Sequence, residues 1–349
     1  MPQWPKASAQ RKQYSMYVWT TSFDVTISGC DEEEFLRWDK DTSSCFTHSW
    51  DTPTRKQWLW DTCNRSGREV SSIYMSGFKD ILERAYIEGN CGDTALQAVR
   101  DVLQQGHTNV QGLEIYALFS ASNIDVSERH FVPYVVWYND NCAQNQSEKF
   151  DGVAVNNEAF ASIKCEDEET VVYLSRLNEI AEAAKLQQSG ILKVHYSIGW
   201  HWGRNCDDTT QDNSVLWNGI FQKVTRHMID IFDSVDAQVA FVTSTEIANR
   251  AEIADYEYAL QHGKPFYLTV YTNKVSACTT SFFPSPCNWG DKTEANMLAV
   301  FDELESPLLG VSQAIPCIHY FRGIYSSGGN PDWPLHTNAV IPGARNNRY

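Results

Sequence analysis

Phe150-Asp151-Gly152-Val153-Ala154-Val155-Asn156-Asn157-Glu158 is the stretch on which the reading of the fold turns. Small and β-branched residues follow an Asp-Gly pair and run into polar ones, a pattern that predicts a strand. Alternate residues of a strand share a face, so Ala154, Asn156 and Glu158 point one way and Val153, Val155 and Asn157 the other. The valines suit a layer of covering helices. The row that ends in Glu158 then faces the axis of a barrel, with Glu158 at the carboxyl end, where the working residues of α/β barrels collect.

Seven further apolar runs repeat this character on either side, at residues 16–22, 70–76, 113–120, 192–200, 237–244, 265–273 and 314–320. Each is nearly continuous, as strands covered on both faces should be. Helix-period segments separate them at 79–88, 94–105, 169–188, 215–232, 246–262 and 292–305. Eight β units joined by helices predict an α/β chain with a single (β/α)8 barrel over residues 1–326 and a polar tail at 327–349. An open sheet with a small second domain is the alternative. The longer excursions all follow strand ends, which puts them around the mouth of the barrel.

The chain has 349 residues, 42% hydrophobic and 21% charged, ample for one large core. A formal net charge of −16 argues against nucleic acid and against an anionic membrane surface, since both want clustered Lys and Arg. No run approaches the roughly 20 apolar residues of a membrane span. The ten cysteines, Cys30, Cys45, Cys63, Cys91, Cys142, Cys165, Cys206, Cys278, Cys287 and Cys317, form no C-x-x-C pair. An even, scattered set fits up to five disulfides, with at least four expected, and so a secreted or extracellular protein. Sequons at Asn64 and Asn145 agree with that compartment. The start, MPQWPKASAQRKQYS, holds no apolar signal core, so a secreted protein would be present here in mature or trimmed form.

At residues 151–158 the chain resembles glycoside hydrolase family 18, the chitinases and their non-catalytic relatives. The family's fourth-strand pattern D-G-x-D-x-D-x-E aligns without a gap: Asp151, Gly152 and Glu158 are kept, while Ala154 and Asn156 replace the second and third Asp. The segments 227–241, 258–271 and 317–321 resemble the later strands of barrels related to that family. The resemblance implies that Glu158 is the general acid and that position 156 orients an N-acetyl nucleophile. Asn156 can hydrogen-bond an amide but cannot carry the charge that stabilises an oxazolinium cation, Ala154 removes the coupled carboxylate, and Thr243 stands near a Tyr expected on the sixth strand. The implied activity is therefore lost or altered, leaving a barrel that binds carbohydrate.

A second carboxylate could restore two-carboxylate chemistry, with Glu246 the first candidate and Asp24 the next. The preferred reading of Glu246 is nonetheless an acid in a first helical turn, favoured by the helix dipole. Trp200 and Trp202, which share a face if the fifth strand continues, read as stacking platforms for a sugar or for a flat aromatic ligand. Asp151 and His319 complete the ligand-binding set. His195, His201 and His319 have no metal-ligand spacing, and no nucleotide or serine-hydrolase motif occurs, so no metal and no cofactor are expected. Three functions follow: a glycan binder, a glycoside hydrolase with Glu158 as acid, or a barrel reused for an aromatic small molecule. Oligomeric state is not legible.

Overall fold

Eight parallel strands close on themselves: β1 (Gln13–Val18), β2 (Glu69–Met75), β3 (Glu114–Ala121), β4 (Gly152–Asn157), β5 (Lys193–Gly199), β6 (Ser234–Gln238), β7 (Phe266–Tyr271) and β8 (Ile315–His319). Each pairs with its neighbours in sequence, and β8 returns to β1 through Ser15 opposite Cys317 and Met16 opposite Ile318. This computed structural model describes residues 13–19, 22–23, 46–47, 53–163, 167–204, 211–272, 279–282 and 294–319. The tail at 327–349, Asp24, and Cys30, Cys45, Cys165, Cys206, Cys278 and Cys287 lie outside the described residues.

Alternation along the strands creates two separate cores. Outward-facing Met16, Ile73, Ile115, Val153, Val155, Ile198, Val235, Leu268 and Ile318 pack beneath the helices. Inward-facing Tyr17, Tyr74, Tyr116, Leu118, Ala154 and Cys317 fill the barrel. The filling is aromatic where barrels usually use branched aliphatics. Tyrosine carries a hydroxyl that must find a partner when buried, and the inner layer supplies polar groups to match: Ser15, Ser72, His195, Ser197, Asp236 and Thr269 are all buried. Gly152 is obligatory at the foot of β4, because a Cβ there would sit 2.3 Å from the Tyr116 ring and 2.6 Å from the Lys193 carbonyl oxygen.

Several expectations need correction. The sixth strand is Ser234–Gln238, not 237–244. The apolar run that suggested the later span is a turn leading to the helix Ser244–Ile253, and Thr243 is its N-cap, its hydroxyl accepting from the Glu246 amide. The helix expected over 215–232 begins as a hairpin, Ser214–Trp217 against Ile220–Lys223, turned by Asn218 and Gly219 with positive φ, and only Val224–Ile231 is helical. Helices Pro53–Cys63 and Val132–Asn141 were not foreseen. Cys91 and Cys142 form a disulfide, whereas Cys63 and Cys317 are buried thiols. With those two unpaired, five bridges cannot form, and four would need every other cysteine. No described helix is long and apolar enough to cross a membrane.

Candidate functional site

At the carboxyl ends of β4, β5 and β6 a small polar cluster opens from the barrel axis. Gln238, last in β6, donates from Nε2 to Asn156 Oδ1 at 2.7 Å, to Ser197 Oγ at 3.2 Å and to Glu158 Oε1 at 3.4 Å. Asn156 and Gln238 are buried, Glu158 is half-buried, and Ser120, opposite Asn156 on β3, is exposed, so the mouth is open above Leu118. Glu158 and Asn156 thus stand where the alternation of β4 puts them. Asn157 faces outward and fastens the strand end: its amide donates to Glu128 Oε2 at 2.9 Å, and its Oδ1 accepts from Tyr173 at 3.0 Å and from the Ala159 amide at 3.1 Å.

Beneath Gln238 lies a group that sequence reasoning missed. Asp236, fully buried, accepts from Tyr17 at 2.8 Å, His195 Nε2 at 2.9 Å, Ser197 at 3.0 Å and, most closely, Thr269. Four donors converge on two carboxylate oxygens, the arrangement a buried charge demands. His195 also meets the Ser234 hydroxyl through Nδ1 at 2.9 Å and stacks on Tyr74 at 4.2 Å. Burial holds the hydroxyls of Tyr17 and Tyr74 well above the ordinary tyrosine range, so both stay protonated and serve as donors. The Asp236 signal was present in Ser234-Val-Asp-Ala-Gln238, but the charge interrupts the apolar run by which strands are recognised.

On the far side of the mouth, His319 at the end of β8 accepts from the Trp19 indole through Nε2 at 2.6 Å. Burial pushes its pKa down to about 4, although Asp236 pulls it the other way, so the ring is neutral at physiological pH. Trp19 and Tyr17 stack at 5.9 Å beside it.

The other expected residues are not brought together here. Asp151 sits at the amino end of β4, at the opposite end of the barrel, where its Oδ2 accepts from the Ile115 amide at 2.7 Å and meets His107 Nε2 at 2.8 Å. Glu246 is exposed in the first turn of its helix. The fifth strand does not continue through Trp200 and Trp202. A 3-10 turn, Trp200–Gly203, intervenes, and Trp202 is wholly buried against Tyr173 at 5.4 Å. Trp200 stays at the rim, half-buried, with the Arg250 guanidinium 3.7 Å above its ring. No group of three or more His, Cys, Asp or Glu among the described residues could hold a metal ion.

Three solved structures illustrate what this chain is similar to in architecture. A GH99 endo-alpha-mannosidase from Bacteroides thetaiotaomicron is 12% identical, over 90% of this chain and 84% of its own, with a TM-score of 0.47. A xylanase-alpha-amylase inhibitor protein in complex with trehalose is 11% identical, over 92% of this chain and 96% of its own, with a TM-score of 0.42. A GH18 chitinase from Cycas revoluta is 10% identical, over 60% of this chain and 66% of its own, with a TM-score of 0.34. No protein family and no curated protein matches the sequence.

Proposed function

We propose that this is a secreted, chitinase-like barrel that binds carbohydrate at its mouth, with catalysis lost or altered. One observation carries the reading. Asn156 is locked by the Gln238 amide at 2.7 Å, so Glu158 is the one carboxylate that the described inner-face residues offer at the carboxyl rim. Glycosidic cleavage by paired carboxylates wants the partners about 5–9.5 Å apart across the bond, and the next inner-face carboxylate, Asp236, is sealed below Gln238 and cannot touch a substrate. What remains suits recognition: a carboxyl, two carboxamides and a neutral imidazole near aromatic rings at the strand ends. Such groups hydrogen-bond sugar hydroxyls and acetamides, and the rings cover apolar sugar faces. The disulfide Cys91–Cys142 accords with an oxidising compartment.

A glycan panel assayed for binding by calorimetry and for cleavage by product analysis tests this. Binding without cleavage, unchanged in turnover and shifted in affinity by Glu158→Gln, is expected. A loss of turnover of about 10²–10⁴-fold in that variant would make Glu158 a general acid and the protein a hydrolase. Binding of no glycan would leave the aromatic small-molecule reading.

A further inference from the structure

One wall of the mouth is a row of stacked planar groups. Phe160, two residues beyond Glu158, stacks on His201 at 5.0 Å. His201 lies 3.8 Å from Trp200, Trp200 lies 3.7 Å from the Arg250 guanidinium, and Arg250 lies 5.0 Å from Phe241 as well. These groups spring from the ends of the strands that carry the polar cluster. Gly199 is paired with Gln238, Trp200 follows Gly199, and Phe241 follows Gln238 by three residues. A Cβ at Gly199 would stand 3.0 Å from the Phe160 ring, so the wall is seated directly on the end of β5.

Within this row Arg250 is anomalous. A guanidinium has five N–H donors in its plane, and stacking on a ring uses a face and leaves the edge. Among the described residues no hydrogen bond and no ion pair reaches that edge, and Nε is buried without a partner. Glu246, one turn earlier on the same helix, acts on Arg250 through space only, and Arg204 brings a second positive charge near it. Burial and Arg204 together make the charged form harder to hold than in free arginine. Other arginines of the fold are neutralised directly: Arg129 by Asp125 and Glu179, Arg84 by Asp93, Arg226 by Asp255. A half-buried, aromatic-stacked arginine with its donor edge unspent beside a ligand mouth is poised to receive an anion, because a rigid fork matches a carboxylate with two parallel hydrogen bonds.

We propose that the mouth takes an acidic glycan and that Arg250, held against Trp200 and near Phe241, binds the carboxylate of a uronic-acid residue seated next to Glu158 and Gln238. This deepens the carbohydrate reading and rests on it. It also assigns Trp200 a role: it orients the guanidinium with one face.

The probes are galacturonic- and glucuronic-acid oligomers, their methyl esters, which keep the sugar and remove the charge, and neutral N-acetylglucosamine oligomers. Charge-assisted hydrogen bonds support a tenfold or greater preference for acid over ester, of the order of 10- to 100-fold. That preference should shrink with added salt and vanish in Arg250→Gln, which should lose far more affinity for the acid than for the ester. Arg250→Lys, which keeps the charge and loses the fork, should retain part of it. Equal affinity of the unaltered protein for acid and ester overturns the inference and leaves glycan binding standing. A parallel loss of acid and ester binding in Arg250→Gln also overturns it, since it would mark Arg250 as a support for the wall. Failure to bind any of the probes, neutral ones included, removes the carbohydrate reading and this inference with it.

Discussion

Glu128 offers a direct test of the packing behind the mouth. It lies in the 3-10 turn Ser127–His130 after β3, fully buried, two residues past Val126, whose positive φ of 49° is strained for a β-branched side chain. Its Oε2 accepts from Asn157 at 2.9 Å. Burial dominates and pushes its pKa from 4.5 up to about 7, the hydrogen bonds from Asn157 and from the backbone amides of Glu128 and Ala121 opposing only in part. At pH 4.5 and below, folded and unfolded chains both hold the proton and nothing is lost. As pH rises the unfolded chain ionises first, so stability falls until the folded state ionises too, near pH 7. A shift of about 2.5 units at 1.36 kcal/mol per unit sets that loss at about 3 kcal/mol. Glu128→Gln keeps the shape and cannot ionise. Its extra amide donor lacks an acceptor, a fixed offset of about 1–3 kcal/mol that does not vary with pH. The difference between variant and parent, measured by urea unfolding at pH 5, 6, 7 and 8, should therefore move in the variant's favour by about 2–3 kcal/mol across that range. Groups common to both proteins, such as His107 beside Asp151, cancel in the comparison. Parallel profiles would refute the reasoning, showing that the Glu128 carboxylate is solvated or paired in a way this packing does not allow.

Gly152→Ala should destabilise the barrel by at least about 2 kcal/mol, toward the upper end of the usual overpacking cost of about 1–3 kcal/mol, because one of the atoms in the way is backbone. Thermal unfolding reads it, and an unchanged Tm would mean that β4 and β5 are not paired as described. Cys63 and Cys317 are wholly buried, and burial raises both thiols above the ordinary cysteine range. Neither should react with a thiol reagent in the native protein, and at least two thiols should appear on unfolding without reductant. An unfolded, unreduced chain with no free thiol would contradict the barrel interior around Cys317.

The fold was legible because its strongest signal is local and repeated. Apolar runs of strand length alternate with helical segments, and the outward rows such as Val153 and Val155 fall on the helix side as alternation requires. Where that signal failed, polarity inside the barrel was the cause. Asp236 and Gln238 belong to β6, yet they interrupt an apolar run, and the eye slides to the next hydrophobic stretch, which is a turn. The hairpin at 214–223 escapes a sequence reading for the opposite reason: Val215, Leu216, Trp217, Ile220 and Phe221 also satisfy a helical period, although Asn218-Gly219 is a strong hairpin signal. Trp200 and Trp202 looked equivalent by spacing. Only the 3-10 turn separates them, sending Trp202 into the outer core and leaving Trp200 at the rim.

The site is harder to read than the fold because charge can change strands without leaving the neighbourhood. The pattern at 151–158 asks for carboxylates at 154 and 156, and the chain has Ala154 and Asn156. Ala154 is paired across the sheet with His195, and His195 donates to Asp236 on the following strand. A buried carboxylate therefore does lie in the inner layer, supplied by β6 and reached from β4 through one imidazole. This makes the two replaced positions unequal. An Asp at 154 would enter a fully buried pocket among Tyr17, Tyr74 and Tyr116, close to the existing Asp236 charge, and buried like charges are not both tolerated. An Asp at 156 would meet the Gln238 amide, which already donates to that position at 2.7 Å. The Ala at 154 thus leaves room for the Asp236 charge in the same inner core, and the Asn at 156 is what separates this mouth from a pair of carboxylates.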